Sequence, residues 1–223
     1  VSADSHCGLP APEYRPYLDA EFHDDFDQYL AQQQAQRDEA LTLNYDYIMG
    51  WETANEEGLR GSFDAAQRDK ELDADGVAAE VMFADADAIT GFASTPFGAG
   101  LGAGMIERPD LAFAGARAHN RWLVEFCATN PDRRGGVALV PVCHDIEAGV
   151  AEVQRLAGEP GIRGVMVPTM WRDRLPYNDA AYDPFWAACE EAGFPVHTHS
   201  GEAPREEMGD HIGIYLAEVV WWA

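Results

Sequence analysis

Residues 136–167 read GVALVPVCHDIEAGVAEVQRLAGEPGIRGVMV and contain two apolar runs separated by an amphipathic segment. The runs at 136–142 and 162–167 are short and rich in valine, which is typical of strands buried on both faces of a parallel sheet. Asp145 can cap a helix between them, and apolar residues then recur at helical spacing: Ile146, Val150, Val153, Leu156 and Ala157. This strand–helix–strand unit predicts an α/β fold.

The same unit repeats along the chain. Further strands are predicted at 1–6, 77–83 and 194–199, and further helices at 62–72, 110–130, 183–192 and from about 210. Short apolar strands that alternate with helices favour a (β/α)8 TIM-barrel type of fold, with only about five of its eight units present. Such a barrel typically needs ~250 residues, and the chain has 223. We therefore expect a single barrel domain over 1–223 that is incomplete at its carboxyl end.

An arm or lid is predicted at about residues 8–62, which depart from the strand–helix pattern. Prolines break the chain early in this segment, and Phe22, Phe26, Tyr29 and Leu30 share one face of a helix. The rest of the segment is rich in glutamine and aspartate, so we expect this helix to be half exposed. The arm is the candidate interface for a homodimer, with Phe22, Phe26 and Tyr29 as its contact face.

The composition is strongly acidic, and it excludes several classes of partner. Lys and Arg number 15 against 39 Asp and Glu, which gives a formal net charge of −24. Such a surface repels phosphate backbones and anionic lipids, so we expect no nucleic-acid or membrane partner. The apolar runs are shorter than the ~18 residues of a membrane span, and no export signal is visible at the start. We expect a cytoplasmic protein with reduced cysteines that acts on a small-molecule substrate.

Histidines and one aspartate stand where two of the predicted strands end. Asp4 and His6 close the first strand, and His197 and His199 close the fifth. Residues at i and i+2 of a strand point to the same face, and the carboxyl ends of barrel strands line the active-site mouth. Imidazole and carboxylate groups are ligands of zinc and similar divalent ions. The spacing alone leaves two interpretations open, a metal site or hydrogen-bonded core histidines.

Most of the chain resembles the amidohydrolase-related family of metal-dependent barrel enzymes, in the branch that includes aminocarboxymuconate-semialdehyde decarboxylase. The resemblance depends on six stretches: VSADSHCGLP at 1–10, RDKELDADGVAAEVMF at 68–83, AHNRWLVEFCATNPDRRGGVALVPV at 118–142, GIRGVMVPTMW at 161–171, YNDAAYDPFWAACEEAGFPVHTHSGEAP at 177–204 and GIYLAEVVWW at 213–222. These motifs are specific for the family and not for a substrate.

The resemblance implies a ligand set for one divalent metal ion. Asp4 stands where the family commonly has its first histidine, His6 matches the second, and His199 matches the ligand of the fifth strand. His197 is implied as a residue that orients a ligand, or as a ligand itself. Leu9 stands where many relatives have a glutamate, so a fourth ligand from that position is absent. The metal is expected to be zinc, with iron or manganese as alternatives. The family's catalytic aspartate of strand eight is not in this sequence, so the catalytic residue stays unassigned.

Several residues after the strands are candidates for substrate contacts. Trp171 follows the fourth strand and can form a wall of the site, while Glu202 and Arg205 follow the fifth strand. Arg205 is placed to pair with a substrate carboxylate. Asp85 and Asp87 follow the second strand and are interpreted as a solvated pair. The glycine-rich stretch FGAGLGAG at 97–104 lacks a lysine and is interpreted as a mobile loop and not as a phosphate-binding loop.

The resemblance leaves three functions open. The main hypothesis is a metal-dependent hydrolase, in which metal-activated water attacks an amide, ester or thioester carbonyl. The first alternative is a metal-dependent non-oxidative decarboxylase of an aromatic or unsaturated carboxylic acid. The second alternative is a barrel fragment without catalytic activity.

Overall fold

The computed structural model describes residues 1–85, 95–169 and 174–199. In these ranges five parallel strands form one sheet in the order β1-β2-β3-β4-β5. The strands are β1 Ser2–His6, β2 Glu80–Phe83, β3 Arg134–Leu139, β4 Ile162–Met166 and β5 Val196–His197. Each strand pairs with the next one in sequence, which is the order of a barrel built from successive β/α units. The predicted fold class, a partial TIM-type barrel, is confirmed.

Helices connect the strands and cover one face of the sheet. They are α1 His23–Ala54, α2 Glu56–Gly61, α3 Ala65–Ala74, α4 Pro109–Ala128, α5 Ile146–Leu156 and α6 Asp183–Ala192. Asp145 caps α5 as predicted, because its side chain accepts a hydrogen bond from the amide of Ala148. Gly193 ends α6 in the left-handed conformation, with φ +67°. The helix predicted from about 210 lies outside the described residues.

Some boundaries differ from the prediction because apolar character extends beyond the hydrogen-bonded segments. β2 begins at Glu80 and not at 77, and β5 consists of Val196–His197 only. α4 begins after Arg108, which is its N-cap residue, and Asp110 of the first turn forms an ion pair with Arg108.

Two apolar clusters lie on opposite faces of the strands. The larger one lies between sheet and helices, where Met82 of β2 packs with Trp122 and Phe126 of α4. The smaller one contains Phe83, together with Val137, Leu139 and Met166 from the neighbouring strands. Met82 and Phe83 belong to different clusters because successive strand residues point to opposite faces. The second face is the one that carries the candidate site.

The arm packs on its own chain through the aromatic face that was predicted as a dimer contact. Phe26 is fully buried, and it stacks on Tyr29 and meets Phe97 edge-on, with a centroid distance of 5.8 Å for the second pair. Phe22 is also packed against the main core. This face therefore contributes to the packing of the arm on its own chain. A homodimer through the arm stays a prediction.

All four cysteines are free thiols, and Cys143 is the one that is not fully buried. Within the described ranges, no helix has both the length and the apolar character to cross a membrane.

Candidate metal centre

The site is formed where the two edge strands of the sheet end. Asp4 and His6 alternate on β1, so they share a face, and His199 follows β5 two residues after its last position. His199 Nε2 lies 3.1 Å from Asp4 Oδ1, and His6 Nε2 lies 3.6 Å from the same oxygen. One ligand atom from each of the three residues lies within 4.8 Å of the other two. The structure thus brings together the three residues that the sequence predicted.

Asp4 and His6 lie close to His199 because the sheet is curved. β1 and β5 are at opposite edges of five strands, so a flat sheet would separate them by about 19 Å at the usual strand spacing. The 3.1 Å contact between His199 and Asp4 instead shows that the sheet curls back towards itself, as in a barrel. The site therefore depends on the curl and not on either strand alone.

A backbone carbonyl fixes the orientation of the His6 ring. His6 Nδ1 lies 2.6 Å from the carbonyl oxygen of Ala84, so Nδ1–H donates to it. A proton on Nδ1 leaves the lone pair on Nε2, the nitrogen that faces Asp4. Histidines that bind metals are typically oriented in this way by a hydrogen bond from their second nitrogen.

A buried ion pair supports the main chain of His6. Arg68 donates from Nη1 to the carbonyl oxygen of His6 at 3.0 Å. Its Nε and Nη2 bind both carboxylate oxygens of Glu80, with the shortest distance 2.6 Å. The Glu80 side chain is fully buried, so its charge depends on this bidentate partner. The pair connects the candidate site to the layer between the sheet and the helices.

The ring of Phe83 packs against the histidines of the site. Its centroid lies 5.1 Å from that of His199 and 6.2 Å from that of His6. His197 meets the same ring edge-on at 5.6 Å, and its Nε2 lies close over Gly164, where a Cβ would be only 2.9 Å away. Burial lowers the pKa of His197. His197 therefore lies beside the three clustered residues and is not one of them in the described part of the chain.

Not all candidate residues are covered by the structure. Trp171, Glu202 and Arg205, the predicted substrate contacts, lie outside the described residues, as does Asp87. Asp85 is described and is half-buried, whereas a solvated pair was predicted. Its carboxylate accepts hydrogen bonds from the amide and hydroxyl of Thr95 and from the amide of Leu101.

His119 belongs to the core, as its position beside Trp122 predicted. It is fully buried, and burial lowers its pKa to about 3, so the ring is neutral. The Tyr14 hydroxyl accepts from the amide of Leu9 at 3.1 Å and donates to His119 Nδ1 at 2.9 Å. Sequence reasoning missed Tyr14, because nothing in the arm sequence signals a partner so far along the chain.

Comparisons with known proteins identify the family. Residues 79–221 match the family described as Amidohydrolase. The gamma-resorcylate decarboxylase of Rhodococcus jostii (strain RHA1) is 32% identical over 108 residues, which cover 45% of this chain and 31% of that protein. The chain thus aligns with less than a third of that relative's length.

Solved structures show the same fold. The 2,6-dihydroxybenzoate decarboxylase from Rhizobium matches with a TM-score of 0.50 and 26% identity, over 67% of this chain and 42% of that one. The 5-carboxyvanillate decarboxylase of Novosphingobium aromaticivorans DSM 12444, solved with bound manganese, matches over 100% of this chain and 55% of its own, with a TM-score of 0.61. At 18% identity, this second likeness concerns the fold alone.

These relatives correct the predicted reaction. The main hypothesis was a hydrolase, but the gamma-resorcylate and 2,6-dihydroxybenzoate enzymes are decarboxylases. The prediction was wrong because strand-end ligands show where a metal can bind and do not show which substrate bond is broken. The family prediction itself is confirmed: the chain belongs to the amidohydrolase family.

Proposed function

We propose that this chain contributes to the active site of a metal-dependent, non-oxidative decarboxylase that acts on a hydroxylated aromatic acid. The observation that carries the proposal is the convergence of Asp4, His6 and His199 at the mouth of the half-barrel. Decarboxylases of dihydroxybenzoic acids among the similar proteins support the substrate class. Because the chain spans only part of their length, the activity of the whole protein belongs to this proposal.

The donor set fits a divalent cation. Two imidazole nitrogens and one carboxylate oxygen are ligands that suit both zinc and manganese. In the neutral His6 ring, the hydrogen bond from Nδ1 to Ala84 places the lone pair on Nε2, where a metal ligand needs it. Manganese is the first ion to test, since a solved decarboxylase of the same fold contains it, and zinc, expected from the sequence, is the second.

The reaction breaks the bond between the aromatic ring and the carboxylate carbon. Carbon dioxide leaves, and the electron pair that remains on the ring carbon takes a proton. A bound cation supplies positive charge that orients the substrate oxygens and stabilises negative charge. Asp4, His6 and His199 hold that cation, and the apolar ring of Phe83 excludes water from one side of the site.

The substrate contacts complete the proposal. From their places in the sequence, Trp171 is proposed as an aromatic wall and Arg205 as the partner of the substrate carboxylate, a group that arginine commonly binds through two hydrogen bonds. Glu202, three positions before Arg205 in the sequence, is proposed as a further substrate contact.

Metal content and carbon dioxide release test this function together. The full chain, loaded with manganese or zinc, is mixed with 2,6-dihydroxybenzoate, and the released carbon dioxide and the metal per chain are measured. His199→Ala is expected to lose both. His23→Gln, a change in the arm, is the matched control and keeps both. Full metal binding in His199→Ala overturns the site assignment. A metal-loaded protein that hydrolyses an ester or amide and releases no carbon dioxide from any hydroxybenzoate overturns the decarboxylase, and a folded protein without metal favours the non-catalytic alternative.

A further inference from the structure

The peptide group that orients His6 has an unusual backbone. The acceptor for His6 Nδ1 is the carbonyl of Ala84, which belongs to the peptide bond between Ala84 and Asp85. The direction of that carbonyl relative to the following chain therefore depends on the φ angle of Asp85. Asp85 has φ +61°, in the left-handed region that few residues other than glycine adopt. The hydrogen bond to His6 thus depends on a conformation that needs support.

The Asp85 side chain supplies that support through the glycine-rich loop, here defined as residues 95–105. Asp85 Oδ1 accepts from the Thr95 amide at 2.8 Å and from its hydroxyl at 3.1 Å. Oδ2 accepts from the Leu101 amide at 2.7 Å. Gly100 gives the carboxylate the space it needs, because a Cβ at this position would overlap Oδ2. The Asp85 carboxylate is therefore held by hydrogen bonds from the glycine-rich loop and packs closely against Gly100.

The arm holds the other side of the glycine-rich loop. Phe97 packs on Phe26 and Tyr29 of α1, with ring centroids 5.8 and 5.5 Å away. Phe97 has φ +60°, so it and Asp85 are the two non-glycine residues with positive φ in the described ranges. Such conformations persist where surrounding contacts over-determine them, and they cluster near functional sites. Here Asp85 is held by hydrogen bonds from the glycine-rich loop, and Phe97, a member of that loop, is held by contacts to α1.

We propose that Asp85 is a positioning residue for His6, acting through the Ala84 carbonyl and anchored by the glycine-rich loop. The Asp85 carboxylate stabilises the left-handed backbone conformation at Asp85. This conformation directs the Ala84 carbonyl towards His6, and the hydrogen bond to that carbonyl keeps the His6 proton on Nδ1. His6 Nε2 is then ready to bind the cation together with Asp4 and His199. The inference rests on the proposed function for the metal, whereas the tautomer of His6 can be measured without any metal.

The first experiment reads the His6 tautomer in the metal-free protein. Nitrogen chemical shifts of the imidazole, assigned with a His6→Gln variant, are expected to show Nδ1–H in the unchanged protein. Asp85→Ala is expected to lose this preference and to bind Mn²⁺ about 10–100-fold more weakly, the usual effect of losing a residue that orients a ligand. Asp145→Ala, which removes the carboxylate that caps α5, is the matched control and is expected to change neither readout.

A second variant changes the glycine-rich loop, the other partner in the contact with the Asp85 carboxylate. Gly100→Ala places a methyl group against the Asp85 carboxylate, so it is expected to shift the tautomer and the Mn²⁺ affinity in the same direction as Asp85→Ala. An unchanged His6 tautomer in a folded Asp85→Ala protein overturns the proposal. If Asp85→Ala does not fold, an unchanged tautomer in Gly100→Ala overturns it equally. Failure of the unchanged protein to bind Mn²⁺ counts against the proposed function, and the tautomer measurement still decides the role of Asp85.

Discussion

Two histidine-containing regions of this fold show how burial decides what an imidazole can do. His119 lies in the core, fully buried, and its neutral ring accepts a hydrogen bond from Tyr14. His6 and His199 stay partly open to solvent beside Asp4, whose side chain is 69% exposed. The core region uses the ring for packing and one hydrogen bond. The candidate site leaves two ring nitrogens facing a carboxylate at a partly exposed place, which fits the proposed binding of a cation.

The largest expected effect separates the two regions. His6→Ala is expected to abolish metal binding while it changes the free energy of unfolding by about 1 kcal/mol or less, because the side chain is not fully buried. His119→Ala is expected to keep the metal and to cost about 3 kcal/mol, since it leaves a cavity and an unpaired Tyr14 hydroxyl. Mass spectrometry for metal and urea unfolding measure the two quantities. Metal loss in His119→Ala with the fold intact would contradict the separation.

The next effect tests how strongly the core supports the candidate site. Glu80→Ala leaves Arg68 without its buried partner and is expected to lower the free energy of unfolding by about 3–5 kcal/mol. Metal affinity is expected to fall as well, because Arg68 then no longer holds the His6 carbonyl in place. Glu147→Ala, on the exposed side of α5, is the matched control in urea unfolding and metal titration. Equal stability of the two variants would show that the ion pair does not support the site.

A smaller effect is expected from the hydroxyl that joins the arm to His119. Tyr14→Phe removes the acceptor of the Leu9 amide and the donor to His119 Nδ1. We expect a loss of about 1–3 kcal/mol in urea unfolding, the usual cost of buried polar groups without partners. Tyr45→Phe, at an exposed position of α1, is expected to be neutral. A neutral Tyr14→Phe would mean that water replaces the lost hydroxyl.

The smallest effect is a pH dependence that the core histidine contributes. The folded pKa of His119 is about 3, against an ordinary value of 6.5, so the unfolded chain binds a proton that the folded one does not. The contribution of His119 to the free energy of unfolding is fully present above about pH 6.5. It is lost as the pH falls from there towards 3. Between pH 6 and 5 the unchanged protein is expected to lose about 1 kcal/mol more than His119→Gln. The free energy of unfolding of both proteins is measured in urea at several pH values. If it changes equally with pH in the two proteins, the lowered pKa of His119 is contradicted.

The predictable part of the site follows from local rules. Period-2 alternation placed Asp4 and His6 on one face, and the strand-end rule placed His199 at the same mouth. The Asp85 contact was not predictable, because Thr95 and Leu101 reach the carboxylate only through the path of the glycine-rich loop. The aromatic face of the arm was recognised, but its packing on Phe97 was not predictable, since hydrophobic spacing does not tell an internal partner from an external one.

The sequence by itself determined the succession of strands and helices, the parallel sheet and the residue types at the strand ends, because these depend on hydrophobic periodicity and capping within short segments. Only the tertiary structure decided that Asp4 and His199, 195 positions apart, lie 3.1 Å from each other. That contact results from the curl of five strands, and the orientation of His6 results from one strained turn at Asp85. Both are properties of packing between distant segments, which no local pattern specifies.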